Sequence, residues 1–165
     1  MAIDWPTTPL DVINRDPLVV RNPKTWSHHH SYGGWGKFFL GLRERKILAT
    51  RCTNAACAEK RMWLPPRCQC PDCWRDMEWV EAPREGRIFT WSVVKYPGEL
   101  FKLPAGTPLI SVELDGVCTK LMSWLKQADG DAGGSPTPKI GLRVRAVFNT
   151  DRPTNTILDL AWVPL

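Results

Sequence analysis

The sequence predicts a mainly β protein: an N-terminal arm, a short helix, a zinc ribbon and then a small barrel of about five strands. Three observations carry this prediction. Five of the six cysteines fall between Cys52 and Cys73, in two groups about a dozen residues apart. The C-terminal half breaks into short β-branched and aromatic runs separated by turn signals, with little helix between them. The residues before Gly36 are rich in Pro, Trp, His and Gly and show little periodicity.

Residues 1–36 read as an extended arm that cannot build a core alone. Residues 37–85 hold the helix and the ribbon. Phe38, Phe39 and Leu42 lie on one face at helical spacing, so a short helix is expected over residues 37–44. A short strand over 47–50 leads into the cysteines. Residues 86–165 form the barrel. Its first strand is Arg87-Ile88-Phe89-Thr90-Trp91-Ser92-Val93-Val94, broken by Pro97-Gly98. Residues 108–114 form the second strand, and the Asp115-Gly116 turn returns the chain as a hairpin partner over 117–125. Residues 127–138 are polar and rich in Gly, Asp and Pro, hence a loop. Residues 143–148 alternate strictly and read as a half-buried strand, and 156–162 supply the last one.

The cysteine spacing is the strongest chemical signal. Cys52 and Cys57 make one pair, and Cys70-Pro71-Asp72-Cys73 makes a tight knuckle turn. Two such turns joined by a hairpin aim four thiolates at one point, which is the tetrahedral site of a structural zinc. The first pair is wider than usual, and Cys68 offers a third thiol in the second group. Cys70 and Cys73 are preferred for their spacing, with Cys68 open as a substitute. A closed four-thiolate site has no free position for water, so the metal is expected to be structural. Zinc is favoured over iron without an electron-transfer context.

The chain has 22 basic and 17 acidic side chains and a net charge of +5, which four thiolates and a zinc ion lower to about +3. This is modest for a nucleic-acid binder and shows no dense basic stripe. Nothing approaches the run of about 18 apolar residues needed for a membrane span, and the first ten residues lack a signal-peptide pattern. A cytoplasmic location is therefore expected, and reduced thiols with it. Nine Trp against two Tyr point to a surface buried in a complex, with Trp5, Trp26 and Trp35 as candidate anchors in the arm. His28, His29 and His30 read as solvated arm residues. Cys118 reads as a small buried residue in a strand, because no base is near it in sequence.

Phe39-Leu40-Gly41-Leu42, Leu48-Ala49-Thr50-Arg51-Cys52, Pro65-Pro66-Arg67 with Cys70-Pro71-Asp72-Cys73, Gly86 to Val94, and Ile140-Gly141-Leu142-Arg143-Val144 occur in that order. This succession resembles a family, long labelled a domain of unknown function, that joins a rubredoxin-like zinc ribbon to an OB-fold. The resemblance covers roughly residues 36–165. Members accompany thiolases, related aldolases, hydroxymethylglutaryl-CoA synthases and acyl-CoA hydratases. It implies an OB-fold domain over 86–165 and a non-catalytic accessory subunit. The implied partner is a thiolase-like catalytic subunit, in a hetero-oligomer such as two copies of each chain. Coenzyme A or acyl-CoA would be shared with that partner.

An OB barrel offers its ligand one open face and a few loops. In the loop after the first barrel strand, Lys95 and Lys102 are candidates for phosphate, and Tyr96 and Phe101 for stacking on adenine. The rival readings are a single-stranded nucleic-acid-binding module and an independent enzyme. The second would need a nucleophile–base pair that the sequence does not offer.

Overall fold

The computed structural model describes residues 11–13, 19–21, 25–26, 32–58, 61–98, 103–127 and 137–165. Contacts divide the chain into two units, Met1–Ser31 and Tyr32–Leu165. In the first, β1 (Asp11–Ile13) pairs antiparallel with β2 (Val19–Arg21), with Asp11 opposite Arg21 and Ile13 opposite Val19. This pair was not expected, because three residues are too few for alternation to be read. Trp5 and the three histidines lie outside the described residues.

The second unit begins with a 3-10 turn, Gly33–Trp35, that runs into α1 (Gly36–Arg43). Phe38 and Leu42 are buried on one face of α1, as their spacing requires. Gly41 lets the helix lie close on the next strand: a Cβ there would come 2.7 Å from Leu48 Cγ. Arg45, at φ 59, ends the helix and turns the chain into β3 (Ile47–Cys52). β3 is the middle of a three-stranded antiparallel sheet, between β4 (Met62–Trp63) and β5 (Met77–Ala82). Neither flanking strand was expected. β4 has only two residues, and β5 mixes half-buried and exposed positions without clean alternation.

Five strands then close into a barrel: β6 (Glu85–Val93), β7 (Pro108–Leu114), β8 (Lys120–Leu125), β9 (Arg143–Phe148) and β10 (Leu160–Pro164). Around the barrel the order is β6-β7-β8-β10-β9 and back to β6. Every neighbouring pair is antiparallel except β8 with β10. This connectivity is that of the OB-fold, the barrel expected from the sequence. β6 serves two neighbours, pairing with β9 through Glu85–Arg87 and with β7 along its length. A β-bulge between Ile88 and Thr90 bends it, which is how one strand wraps around a small barrel. Gly86 is needed at the crowded start of this wrap, since a Cβ would fall 2.3 Å from the Glu113 carbonyl oxygen.

Three expectations are corrected in the barrel. The hairpin partner begins at Lys120 rather than at residue 117. Val117 bridges to Met62 of β4, and Cys118 N–H donates to the Met62 carbonyl at 3.0 Å, so the turn leaves its hairpin to pair with the ribbon. Cys118 is consequently exposed in this turn, not a buried strand residue. Likewise the last strand starts at Leu160, because Ile157–Asp159 form a 3-10 turn capped by the Thr156 hydroxyl, which accepts from Leu158 N–H.

One apolar cluster runs through the second unit. It joins Phe38 and Leu42 of α1, Ile47 and Ala49 of β3, and Leu64 to Ile88, Ile110, Val112, Val144 and Trp162 of the barrel. Thr119 ties the same joint by hydrogen bonds: its hydroxyl accepts from Leu64 N–H at 3.1 Å and donates to the Leu64 carbonyl. Among the described residues, no helix is long and apolar enough to cross a membrane.

Candidate functional site

Cys52 ends β3, and the chain then folds back on itself. Asn54 makes the turn, its side-chain oxygen accepting from Ala56 N–H and its carbonyl from Cys57 N–H, each at 3.0 Å. Past β4, Cys70 opens a second turn. Cys70 N–H donates to the Arg75 carbonyl at 2.9 Å, and Trp74 N–H to the Cys70 carbonyl at 2.8 Å. The Thr53 hydroxyl donates to the Asp76 carbonyl at 2.9 Å and so fastens one turn to the other.

These turns bring Cys52, Cys57, Cys70 and Cys73 together, with all four sulfurs within 4.8 Å of one another. Cys52 and Cys73 Sγ are 3.5 Å apart, and Cys57 and Cys70 Sγ 4.0 Å. Four sulfurs at about 2.3 Å from a central zinc stand about 3.8 Å apart in a tetrahedron. The observed separations bracket that value and are far longer than a disulfide. The four residues could hold a metal ion, and the all-sulfur set is consistent with a structural zinc. Three of the cysteines are buried and Cys73 is half-buried. Cys68 is exposed and outside the group.

The thiols are not equivalent. Burial pushes Cys52 up to about 12, against an opposing hydrogen bond from the Asn54 backbone. Hydrogen bonds from the Asn54 side chain and the Arg75 backbone pull Cys73 down to about 6. Burial also raises Cys118, with Arg61 and Arg67 opposing it.

The coenzyme A candidates are placed unevenly. Lys95 and Tyr96 follow β6 and are exposed, Tyr96 to 91%, which leaves its ring free to stack. Phe101 and Lys102 lie outside the described residues.

Sequence reasoning missed the outer face of β6, β7 and β8. The register sets Thr90 opposite Ser111 and Ser111 opposite Met122. It also sets Leu109 between Ser92 and Trp124. Met122 is 58% exposed, and the bulged Phe89 is exposed too, with Lys120 Nζ 4.6 Å from its ring centroid. This is the face on which OB-folds take their ligands. A cavity of about 190 Å³ opens on it, walled by Leu103, Leu109, Met122, Ser123, Trp124, Ile157 and Leu158. The signal was available in the sequence: Lys120, Met122 and Trp124 alternate with Leu121, Ser123 and Leu125. Beside this face, buried Asp159 holds the loop before β10. Its carboxylate accepts from Asn149 Nδ2, from the Thr154 hydroxyl and N–H, and from Asn155 N–H.

An OB barrel preceded by a four-thiol ribbon defines the class of this protein. Residues 79–149 match the family model of the ChsH2 C-terminal OB-fold domain. Among solved structures, a DUF35-family protein of unknown function from Sulfolobus solfataricus is similar. It has 17% identity over 78% of this chain and 83% of its own, with a TM-score of 0.53, and shows the fold. A chain of the Ltp2–ChsH2(DUF35) aldolase is similar at 27% identity, over 78% of this chain and 91% of its own, with a TM-score of 0.56. The family match and this second structure support the DUF35/OB-fold family. No curated protein matches the sequence.

Proposed function

We propose that this chain is the non-catalytic accessory subunit of a thiolase-type acyl-CoA enzyme, docked on the catalytic subunit and helping to shape its coenzyme A site. The observation that carries this reading is the four-thiol ribbon joined to an OB barrel, in an arrangement similar to a chain of the Ltp2–ChsH2(DUF35) aldolase. That enzyme's name couples a DUF35 chain with Ltp2, which supports a two-subunit arrangement here.

The metal is zinc and structural in this reading. Lys95, Tyr96, Phe101 and Lys102 meet the phosphates and adenine of coenzyme A in this reading. The particular enzyme is benzoylsuccinyl-CoA thiolase of anaerobic toluene breakdown, a choice supported by the long arm and the nine Trp.

Mild affinity purification from native cells, with the partners identified by mass spectrometry, tests the role. A stoichiometric thiolase-like chain supports it. Nucleic acid or ribosomal proteins without such a chain overturn it in favour of a nucleic-acid platform. Within the recovered complex, Lys102→Ala is expected to raise the KM for acyl-CoA. An unchanged KM for both Lys102→Ala and Lys95→Ala removes the coenzyme A contact.

A further inference from the structure

The knuckle turn of Cys70 and Cys73 ends on Trp74, held at φ 59 with its side chain 74% exposed. Left-handed backbone is disfavoured for any residue with a Cβ, and glycine adopts it freely. The indole gains little burial in exchange, so its presence is not explained by folding. An exposed aromatic residue on strained backbone points to a task outside the chain.

Trp74 has company. With Trp35, Arg67, Cys68, Gln69 and Pro71 it walls a cavity of about 250 Å³. An adjoining cavity of about 270 Å³ shares Trp35, Arg67 and Cys68, and adds Trp79 and Met77 with Asp76. Among the described residues, Arg67 is the one charged residue lining the first cavity. Its guanidinium lies 4.9 Å from the Trp63 ring centroid, and the Arg67 backbone N–H donates to the Thr50 hydroxyl at 2.8 Å. Among the described residues no carboxylate pairs with that guanidinium. Stacked on an indole, it is fixed in place with its N–H edge available for an acid.

We propose that this groove on the ribbon is a docking site for the catalytic subunit. An apolar side chain of that subunit enters between Trp35 and Trp74, and a neighbouring carboxylate pairs with Arg67. The inference rests on the accessory-subunit reading and adds to it the surface and the chemistry of the contact. Two indoles and an arginine are the residue types that dominate interface energetics.

Trp74→Gly separates docking from folding, because glycine suits the left-handed position and leaves the four thiols in place. The experiment measures the affinity of full-length variants for the thiolase-like subunit recovered in the native complex, with zinc content and Tm alongside. The expected result is binding roughly 30-fold weaker for Trp74→Gly and clearly weaker for Arg67→Ala, with zinc content unchanged. Iodoacetamide should also label Cys68 more slowly in the wild-type complex than in the free chain. Wild-type affinity in Trp74→Gly overturns the docking site and leaves the accessory role standing. A wild-type chain that binds no such subunit overturns both. Binding of a single-stranded oligonucleotide that Trp74→Gly abolishes assigns the groove to nucleic acid and overturns the proposal.

Discussion

The tip of the ribbon and the barrel are held together by different means. At the tip, the buried cluster among the described residues consists of Cys52, Cys57 and Cys70, with Cys73 and Met77 packed against it. In the barrel, Ile88, Ile110, Val112, Leu114, Val144, Leu160 and Trp162 fill an apolar interior. Burial of such side chains contributes roughly 1.5–3 kcal/mol each before entropy is counted. Among the described residues, the tip has no comparable apolar cluster. The comparison teaches that one fold can draw its order from two sources, apolar burial in the barrel and, at the tip, four gathered thiols that could hold a metal ion.

With zinc held by the four thiols, its removal is expected to have the largest and most local effect. Structural zinc contributes on the order of 10–16 kcal/mol in isolated zinc-finger peptides. Purified protein is expected to carry zinc near one equivalent. Chelation, or Cys70→Ser, should release amide protection across residues 52–76 in hydrogen exchange while β7 and β8 stay protected. Loss of the barrel strands in the same step would show that the two regions are one cooperative unit. Absence of near-stoichiometric zinc or iron would remove the metal from the account altogether.

The converse perturbation belongs to the barrel. Gly86→Ala places a methyl group against the Glu113 carbonyl, at 2.3 Å before relaxation. Backbone cannot yield as a flexible side chain can, so a loss of about 1–3 kcal/mol is expected in denaturant unfolding. The zinc content should not change. Equal loss of metal would mean that strain at β6 reaches the cysteines.

The same contrast explains what could be read from the sequence. The four thiols were legible because metal ligation demands fixed residue types at short spacings. The barrel strands over residues 87–94, 108–114 and 143–148 were legible because half-buried strands alternate or carry β-branched and aromatic residues. β4 and β5 were not legible: their strand character comes from pairing with β3, and Trp79 and Val80 are both only half-buried. The outer barrel face needed register, since Phe89 reaches it through a bulge that propensity does not reveal. Trp74 needed the backbone angle, because an exposed indole reads in sequence like any other. Cys118 was misjudged because its neighbours pair with the ribbon, a contact between residues 55 or more apart in the chain.

That contact is where the two regions meet, and it sets the smallest predicted effect. Thr119 serves both backbone groups of Leu64 with one hydroxyl. Thr119→Val keeps the shape and leaves the N–H and carbonyl of buried Leu64 without that partner, at a cost of about 1–2 kcal/mol. The apolar contacts of Leu64 and Met62 with the barrel remain, so the unit should not fall apart. Hydrogen exchange should instead speed up in β4 and in the turn at 115–119, with β9 and β10 unaffected and zinc retained. Faster exchange throughout the barrel would make Thr119 a core element rather than a fastening. No change anywhere would leave the apolar cluster alone as the link between the four-thiol tip and the barrel.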